Sequence, residues 1–350
     1  MGKKVAVGMS GGVDSAVAAY LLKQDGFDVI GISLRTWVSQ TGEEGRCCEI
    51  DDARAACAKI GIPFHTFNVA DDFTRRVTEP FTKEYLKGRT PNPCIVCNRY
   101  VKWARLLYYA DLLGADYIAT GHYAGVVKLP NGRYTVRTAK HAAKDQTYMI
   151  YALTQEQLSR TLMPLREYSK DEVRAIAQEC GLDVANKPDS QEICFVPDDD
   201  YAGYIEKNCD NLPGEGDFVD SDGKVLGRHK GIIHYTIGQR KGLGIAFGVP
   251  MYVKKIDVTG NKVVLAKDED LYGKTVTCSD VNFMSVEGID DSLRCRAKIR
   301  YHHTPQEATA TYEDGKLILR FDEPVRAAAP GQSAVMYDEE GFVIGGGVIE

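Results

Sequence analysis

Apolar and polar positions change rhythm along the chain, and the changes divide it into regions. Residues 4–9 (KVAVGM), 27–34 (FDVIGISL), 63–69 and 116–120 are short, mostly apolar runs, and residues 16–24 and 51–60 between them carry helical spacing. Apolar strands alternating with helices predict a parallel sheet covered on both faces. Residues 126–137 read as a hairpin turning at Asn131-Gly132. Ser169-Lys170-Asp171-Glu172 is a capping box, and the helix it opens stops at Gly181. This α/β texture continues to about residue 208. Residues 216–226 and 251–265 then alternate around turns at Asp222-Gly223 and Gly260-Asn261, which suggests a small, mainly β region. From about residue 274 short strands dominate, with turns at Asp314-Gly315, Pro330-Gly331 and Glu340-Gly341, and predict a β-barrel. The fold class is therefore α/β, with a parallel-sheet domain over 1–208, a central β domain over 209–273 and a C-terminal barrel over 274–350.

At 350 residues each of these regions can bury its own core. No apolar run reaches the length of a membrane span and no signal-peptide pattern opens the chain, so a cytoplasmic protein with no membrane partner is expected. Ten cysteines in clustered spacings point to reactive or metal-binding thiols, not to a disulfide scaffold. A net charge of −6 argues against a polyanionic partner, but its distribution argues for one. Residues 86–110 hold Lys87, Arg89, Arg99, Lys102 and Arg105 without a carboxylate, and residues 224–256 hold seven Lys and Arg with none. Residues 292–306 repeat the pattern with Arg294, Arg296, Lys298, Arg300, His302 and His303. Acid-free basic segments with interleaved aromatics fit a nucleic acid that touches the protein in several places.

The first strand runs into Ser10-Gly11-Gly12-Val13-Asp14-Ser15, and a helix follows. Adjacent glycines let the backbone turn sharply and approach a ligand, and unpaired N–H groups at the helix start suit phosphate. Asp14-Ser15 stands where a Walker loop carries Lys followed by Ser or Thr. An Asp beside phosphates makes sense if Mg²⁺ bridges them. Leu34 and Gly121 lie at the carboxyl ends of two other strands, where ligands of such sheets bind. The S-G-G-V-D-S loop closely resembles that of the PP-loop ATP pyrophosphatases, which cleave ATP between its α- and β-phosphates and adenylate a substrate oxygen.

Pro91-Asn92-Pro93-Cys94-Ile95-Val96-Cys97-Asn98 precedes a helix expected over 100–113, with Asn98 as its N-cap. The helix dipole together with Arg99 and Lys102 favours a reactive thiolate at Cys97. A second thiol, Cys194, lies in Asp189-Ser-Gln-Glu-Ile-Cys194-Phe-Val. Cys97 and Cys194 are candidates for a reactive pair. A zinc site joining Cys94 and Cys97 to Cys47 and Cys48 is the competing reading, weakened by the poor tetrahedral geometry of adjacent cysteines.

An adenylating loop, separated reactive cysteines and basic surfaces together describe sulfur transfer to RNA. The motifs SGGVDS, PNPCIVCN, TGHYA, AKDQTYM, DSQEICFV, HYTIGQRKGLGI and PGQSAV resemble, in order and over essentially the whole chain, those of the tRNA-specific 2-thiouridylases of the MnmA/TrmU family. The resemblance implies 2-thiolation of the wobble uridine in the tRNAs for lysine, glutamate and glutamine, with AMP and pyrophosphate released. It implies that Gly8, Met9, Ser10, Gly11, Gly12, Val13, Asp14, Ser15, Leu34 and Gly121 hold ATP. Cys97 would be the nucleophile and Cys194 the persulfide carrier, the two closing a disulfide once sulfur leaves. Asn92, Pro93 and Cys94 would line the flipped base, and His122, Lys144, Asp145, Gln146, Arg300, Tyr301 and Gln332 would contact tRNA. A sulfur donor such as a cysteine desulfurase or a sulfur-relay protein is implied as a partner. Cys94 departs from the better-known branch, which has an Asp there. It is open to three roles: acid/base group, resolving thiol, or ligand with Cys97 and Cys194 to a [4Fe–4S] cluster, since three thiolates leave one iron vacant. Two other readings compete with thiolation. One is another PP-loop synthetase acting on a small molecule, and the other is an RNA-binding protein with a structural metal.

Overall fold

The computed structural model of the chain describes residues 2–37, 49–187, 193–196, 198–245 and 248–350, and the elements named below are those of these residues. Strand β1 (Lys4–Gly8), helix α1 (Val13–Gln24), β2 (Asp28–Arg35), α2 (Ile50–Ile60) and β3 (Phe64–Asn68) follow the expected rhythm. Helices α3 (Ala70–Phe73) and α4 (Glu79–Leu86) are joined through a π-turn at Thr74–Thr78, and α5 (Pro93–Cys97) passes through another at Asn98–Lys102 into α6 (Trp103–Leu112). The domain is completed by β4 (Tyr117–Ala119), the hairpin β5 (Ala124–Lys128) and β6 (Tyr134–Thr138), α7 (Gln155–Ser159), β7 (Thr161–Leu162), α8 (Lys170–Glu179) and α9 (Tyr201–Asn208).

Its sheet has the order β3-β2-β1-β4-β7 and is parallel throughout. Period-two alternation places Val5 and Val7 in one buried layer with Ala16, Val17, Ala53 and Val173. Ala6 and Ile32 point into the opposite layer with Trp103, Leu106 and Ile118. The chain leaves β1 toward β2 and later returns on the other side as β4. A crevice therefore opens between β1 and β4 at the carboxyl end of the sheet, where ligands of open α/β sheets bind.

Strands β8 (Gly216–Val219), β9 (Val225–His229), β10 (Tyr252–Asp257) and β11 (Lys262–Ala266) form a sheet of order β10-β11-β8-β9. The last six strands are β12 (Tyr272–Phe283), β13 (Leu293–Lys298), β14 (Gln306–Glu313), β15 (Lys316–Arg326), β16 (Ser333–Tyr337) and β17 (Val343–Ile349). They close a barrel in the order β12-β15-β14-β13-β16-β17 around Val276, Leu317, Leu319, Phe321 and Met336. Asp314 and Gly315 take φ of 52° and 76° between β14 and β15, as the Asp-Gly signal predicts for a two-residue hairpin loop. Core clusters run across the regions: Met284, Val335 and Val343 of the barrel side pack with Tyr148 and Tyr151, and Phe218, Val253 and Val263 pack with Phe81, Cys97 and Val101. Among the described residues no helix is long and apolar enough to cross a membrane.

Candidate active site

The loop between β1 and α1 lies at the open crevice. Gly11 turns it with φ of 79°, and a Cβ there would come within 2.5 Å of the Glu49 carbonyl oxygen, so only glycine fits. Ser15 holds the loop's shape: its hydroxyl accepts from the Ser10 amide at 3.2 Å and donates to the Gly12 carbonyl at 3.0 Å. Gly12 caps α1 with no side-chain hydrogen bond, which leaves the first-turn amides to a ligand anion. Gly121, just past β4, packs against α1 so closely that a Cβ would lie 2.6 Å from the Asp14 carbonyl carbon and the Ser15 nitrogen. The predicted nucleotide residues are thus brought together, with Leu34 near the end of the neighbouring β2. The Asp14 carboxylate accepts from the Tyr123 hydroxyl at 2.7 Å, and the Lys170 ammonium lies 2.8 Å from each of its oxygens.

The thiol helix starts earlier than its sequence suggests. Asn92, not Asn98, is the N-cap: its Oδ1 accepts from the Cys94 and Ile95 amides at 3.1 and 3.4 Å, and Pro93 follows at a first-turn position that needs no N–H. The positive end of the helix therefore lies under Cys94, and Cys97 sits a turn further in. Asn98 is inside the helix, 3% exposed, and its Nδ2 donates to the Met149 carbonyl at 2.9 Å. Cys94 is exposed, whereas Cys97 is buried in a cluster with Phe73, Phe81, Val101 and Phe195. Cys194 packs against that same cluster, anchored by its neighbour Phe195, whose ring meets Phe73 and Phe81 edge-on at 5.7 and 5.2 Å. Among the described residues no group of three or more Cys, His, Asp or Glu is gathered closely enough to hold a metal ion. Cys47 and Cys48, the other half of the zinc reading, lie outside the described residues.

Of the residues expected at RNA, Gln146 is tied through Tyr123 to the nucleotide loop and Asp145 to Tyr301. The Tyr123 amide donates to Gln146 Oε1 at 3.0 Å, and the Gln146 amide returns to the Tyr123 carbonyl at 3.1 Å. Asp145 accepts from the Ala139 amide and the Thr147 hydroxyl at 3.0 and 2.7 Å, and its carbonyl accepts from the Tyr301 hydroxyl at 3.2 Å. Lys144, next to it, is half-buried. His122 Nδ1 is 2.9 Å from the Thr120 hydroxyl; burial, with the charge of Lys102, pushes its imidazole down to about 3. Arg300 and Gln332 are engaged within the protein: Arg300 Nη1 donates to the Arg326 carbonyl at 3.2 Å, and Gln332 Nε2 donates to the Thr90 carbonyl at 2.8 Å. The acid-free segments are not acid-free in space. Arg99 meets Asp280 at 3.3 Å, Arg105 meets Asp72, and Arg294 meets Asp322 at 2.9 Å. Carboxylates remote in sequence thus neutralise part of the expected basic surface, while Arg240 and Lys241 stay exposed.

Family models match the chain end to end: a tRNA methyl transferase HUP domain over residues 3–198, a tRNA methyl transferase PRC-barrel domain over 203–267 and an aminomethyltransferase beta-barrel domain over 273–349. A tRNA-specific 2-thiouridylase MnmA of Lachnoclostridium phytofermentans is 52% identical, covering 99% of both chains. The chain belongs to the tRNA-specific 2-thiouridylase MnmA family. Another MnmA, from Clostridioides difficile, is 51% identical over 100% of this chain and 99% of its own. Among solved structures, a U34-tRNA thiolase NcsA from Methanococcus maripaludis with its [4Fe-4S] cluster matches with a TM-score of 0.37 and 22% identity over 59% of this chain and 66% of that one, a likeness too slight to bear on function.

Within this MnmA-family site, Tyr123 and Lys170 are contacts of Asp14 that sequence reasoning passed over. Tyr123 stood in the quoted TGHYA motif, but nothing in its spacing ties it to Asp14, 109 positions away. Lys170 follows the cap Ser169 of α8, and the capping box accounts for its surroundings without pointing to the nucleotide loop.

Proposed function

We propose that this chain is a tRNA-uridine 2-sulfurtransferase. On this reading it adenylates the C2 oxygen of the wobble uridine in the tRNAs for lysine, glutamate and glutamine, then replaces that oxygen with persulfide sulfur. The observation that carries the proposal is that the nucleotide loop and the thiol helix share one end of one sheet. Gly8, which opens the loop, lies so close to Leu106 of α6 that a Cβ would be 3.0 Å away, and the His122 ring is 5.3 Å from Trp103. ATP bound over residues 8–15 and a base placed at Asn92, Pro93 and Cys94 would meet there. The names of two matching family models speak of methyl transfer, but the relatives matched over their full length are named 2-thiouridylases.

In the reaction the uracil C2 oxygen attacks the α-phosphorus, and pyrophosphate leaves with the electron pair of the broken P–O bond. Cys194, charged as a persulfide by a sulfur donor such as a cysteine desulfurase or a relay protein, attacks the activated C2 with its terminal sulfur, which stays bonded to the Cys194 sulfur in the adduct. The Cys97 thiolate then attacks the Cys194 sulfur of that adduct; the S–S bond breaks with its electron pair going to the sulfur on C2, which expels AMP as the C=S bond forms, and Cys97 and Cys194 are left as a disulfide that a thiol reductant reopens. Cys94, exposed in the first helical turn, serves as a resolving thiol or proton-transfer group. Asp14 would give Mg²⁺ the single protein carboxylate it commonly takes beside phosphate oxygens, and the ion would neutralise charge on the triphosphate. The purified chain, given ATP, substrate tRNA and a persulfide donor, should release AMP and pyrophosphate and leave 2-thiouridine detectable by nucleoside mass spectrometry. Release of ADP and phosphate instead would rule out the adenylation step.

A further inference from the structure

The S-G-G-V-D-S loop lacks the lysine that a Walker loop places on its phosphates, and a carboxylate stands there instead. Beside a triphosphate that is unfavourable unless positive charge is near. The fold brings such a charge from 156 residues away. Lys170, the first residue of α8, lies 2.8 Å from both oxygens of Asp14, and its side chain is only 9% exposed. An ammonium buried to that degree is costly to place, so its position is specified by the fold and not by chance. Three features specify it. The Ser169 and Glu172 capping box fixes the start of α8; α8 packs alongside α1; and Gly121 seats Tyr123 against α1, so that the Tyr123 hydroxyl shares the Asp14 carboxylate.

We infer that Lys170 is the phosphate cation missing from the loop, a catalytic residue of the adenylation step. Before ATP binds, Asp14 holds the ammonium in place. As the P–O bond to the leaving group breaks, the electron pair goes to the departing pyrophosphate, and the Lys170 ammonium donates to that oxygen where its charge develops. Asp14 meanwhile keeps the Tyr123 hydroxyl. A donor aimed at charge that appears only in the transition state acts mainly on kcat. The inference rests on the adenylation reading given above.

The test uses the full chain with substrate tRNA, measuring AMP and pyrophosphate formation and inhibition by inorganic pyrophosphate. Lys170→Met, which keeps the stem without the charge, should lower kcat by about a hundredfold or more. It should change the KM for ATP by less than about tenfold and weaken pyrophosphate inhibition more than ATP binding. Lys170→Arg should recover most of the rate. Lys170→Gln, whose amide can still donate to Asp14 without carrying charge, provides a second variant if Lys170→Met is unstable, and it should be as slow. Pyrophosphate release by Lys170→Met at near wild-type rate would overturn the inference while leaving adenylation standing. Release of ADP and phosphate by the wild-type protein would overturn both.

Discussion

Burial holds the His122 imidazole far below the ordinary histidine value, down to about 3, and holds His303 down to about 4, with Arg300 and Lys298 adding to the effect. A neutral His122 can hydrogen-bond, as it does to the Thr120 hydroxyl, but carries no charge. Its linkage to stability has a definite sign. The unfolded chain protonates its histidines near 6.5, whereas folded His122 resists protonation until about 3, so the folded state is increasingly disfavoured as pH falls from 6.5. Each such histidine contributes a slope of at most about 1.4 kcal/mol per pH unit in that window. His122→Gln retains an amide to face Thr120 and should flatten the fall in stability between pH 6.5 and about 4.5. Denaturant unfolding of both proteins across that range checks it, because carboxylate contributions common to both cancel in the difference. Parallel curves would mean that His122 titrates normally in the folded protein.

The thiol helix shows what a sequence discloses at the scale of an element and what it does not. The strand-loop-helix start, the capping box at Ser169 and the Asp-Gly turn at 314–315 were legible because each rests on interactions within a few residues. The start of the thiol helix was not, because Asn98 is also a good capping residue and stands nearer the helical pattern than Asn92. What separates them is remote: the Met149 carbonyl takes the Asn98 side-chain amide, and Asn92 caps the Cys94 and Ile95 amides. The π-turn at Asn98–Lys102 has no signature in apolar spacing, so the continuity of α5 with α6 could not be read. Asn92→Ala should cost about 1 kcal/mol, and Asn92→Asp, which still caps, much less. Asn98→Asp should cost more than Asn92→Asp, since it withdraws the donor from a buried carbonyl and introduces a buried charge, an effect of about 1–3 kcal/mol or larger. Urea unfolding of the four single variants, including Asn98→Ala, discriminates the two roles. Equal tolerance of Asp at both positions would contradict the observed cap.

For the molecule as a whole, the question is how a chain of net charge −6 holds a polyanion. Basic segments defined along the sequence overstate the answer, because Arg99, Arg105 and Arg294 meet Asp280, Asp72 and Asp322 across the fold. Sequence separation hid those pairs, much as it hid Lys170 on Asp14. RNA affinity must then come more from exposed cations outside those pairs. Arg240 and Lys241 meet that description, following the buried Ile232, Ile233 and Tyr235, whose packing fixes the base of their loop. Every cation withdrawn from a phosphate takes somewhat less than one released counterion out of the binding equilibrium. Charge reversal at both positions should therefore weaken tRNA binding and reduce the slope of log affinity against log salt by about one to two. ATP binding measured without tRNA should be unchanged, because the nucleotide loop lies in a different part of the fold. Reversal of Arg294, already committed to Asp322 at 2.9 Å, should alter the slope far less while lowering barrel stability. A slope unmoved by the Arg240 and Lys241 reversals would remove this loop from the RNA interface and return the burden to the cations flanking the thiol helix.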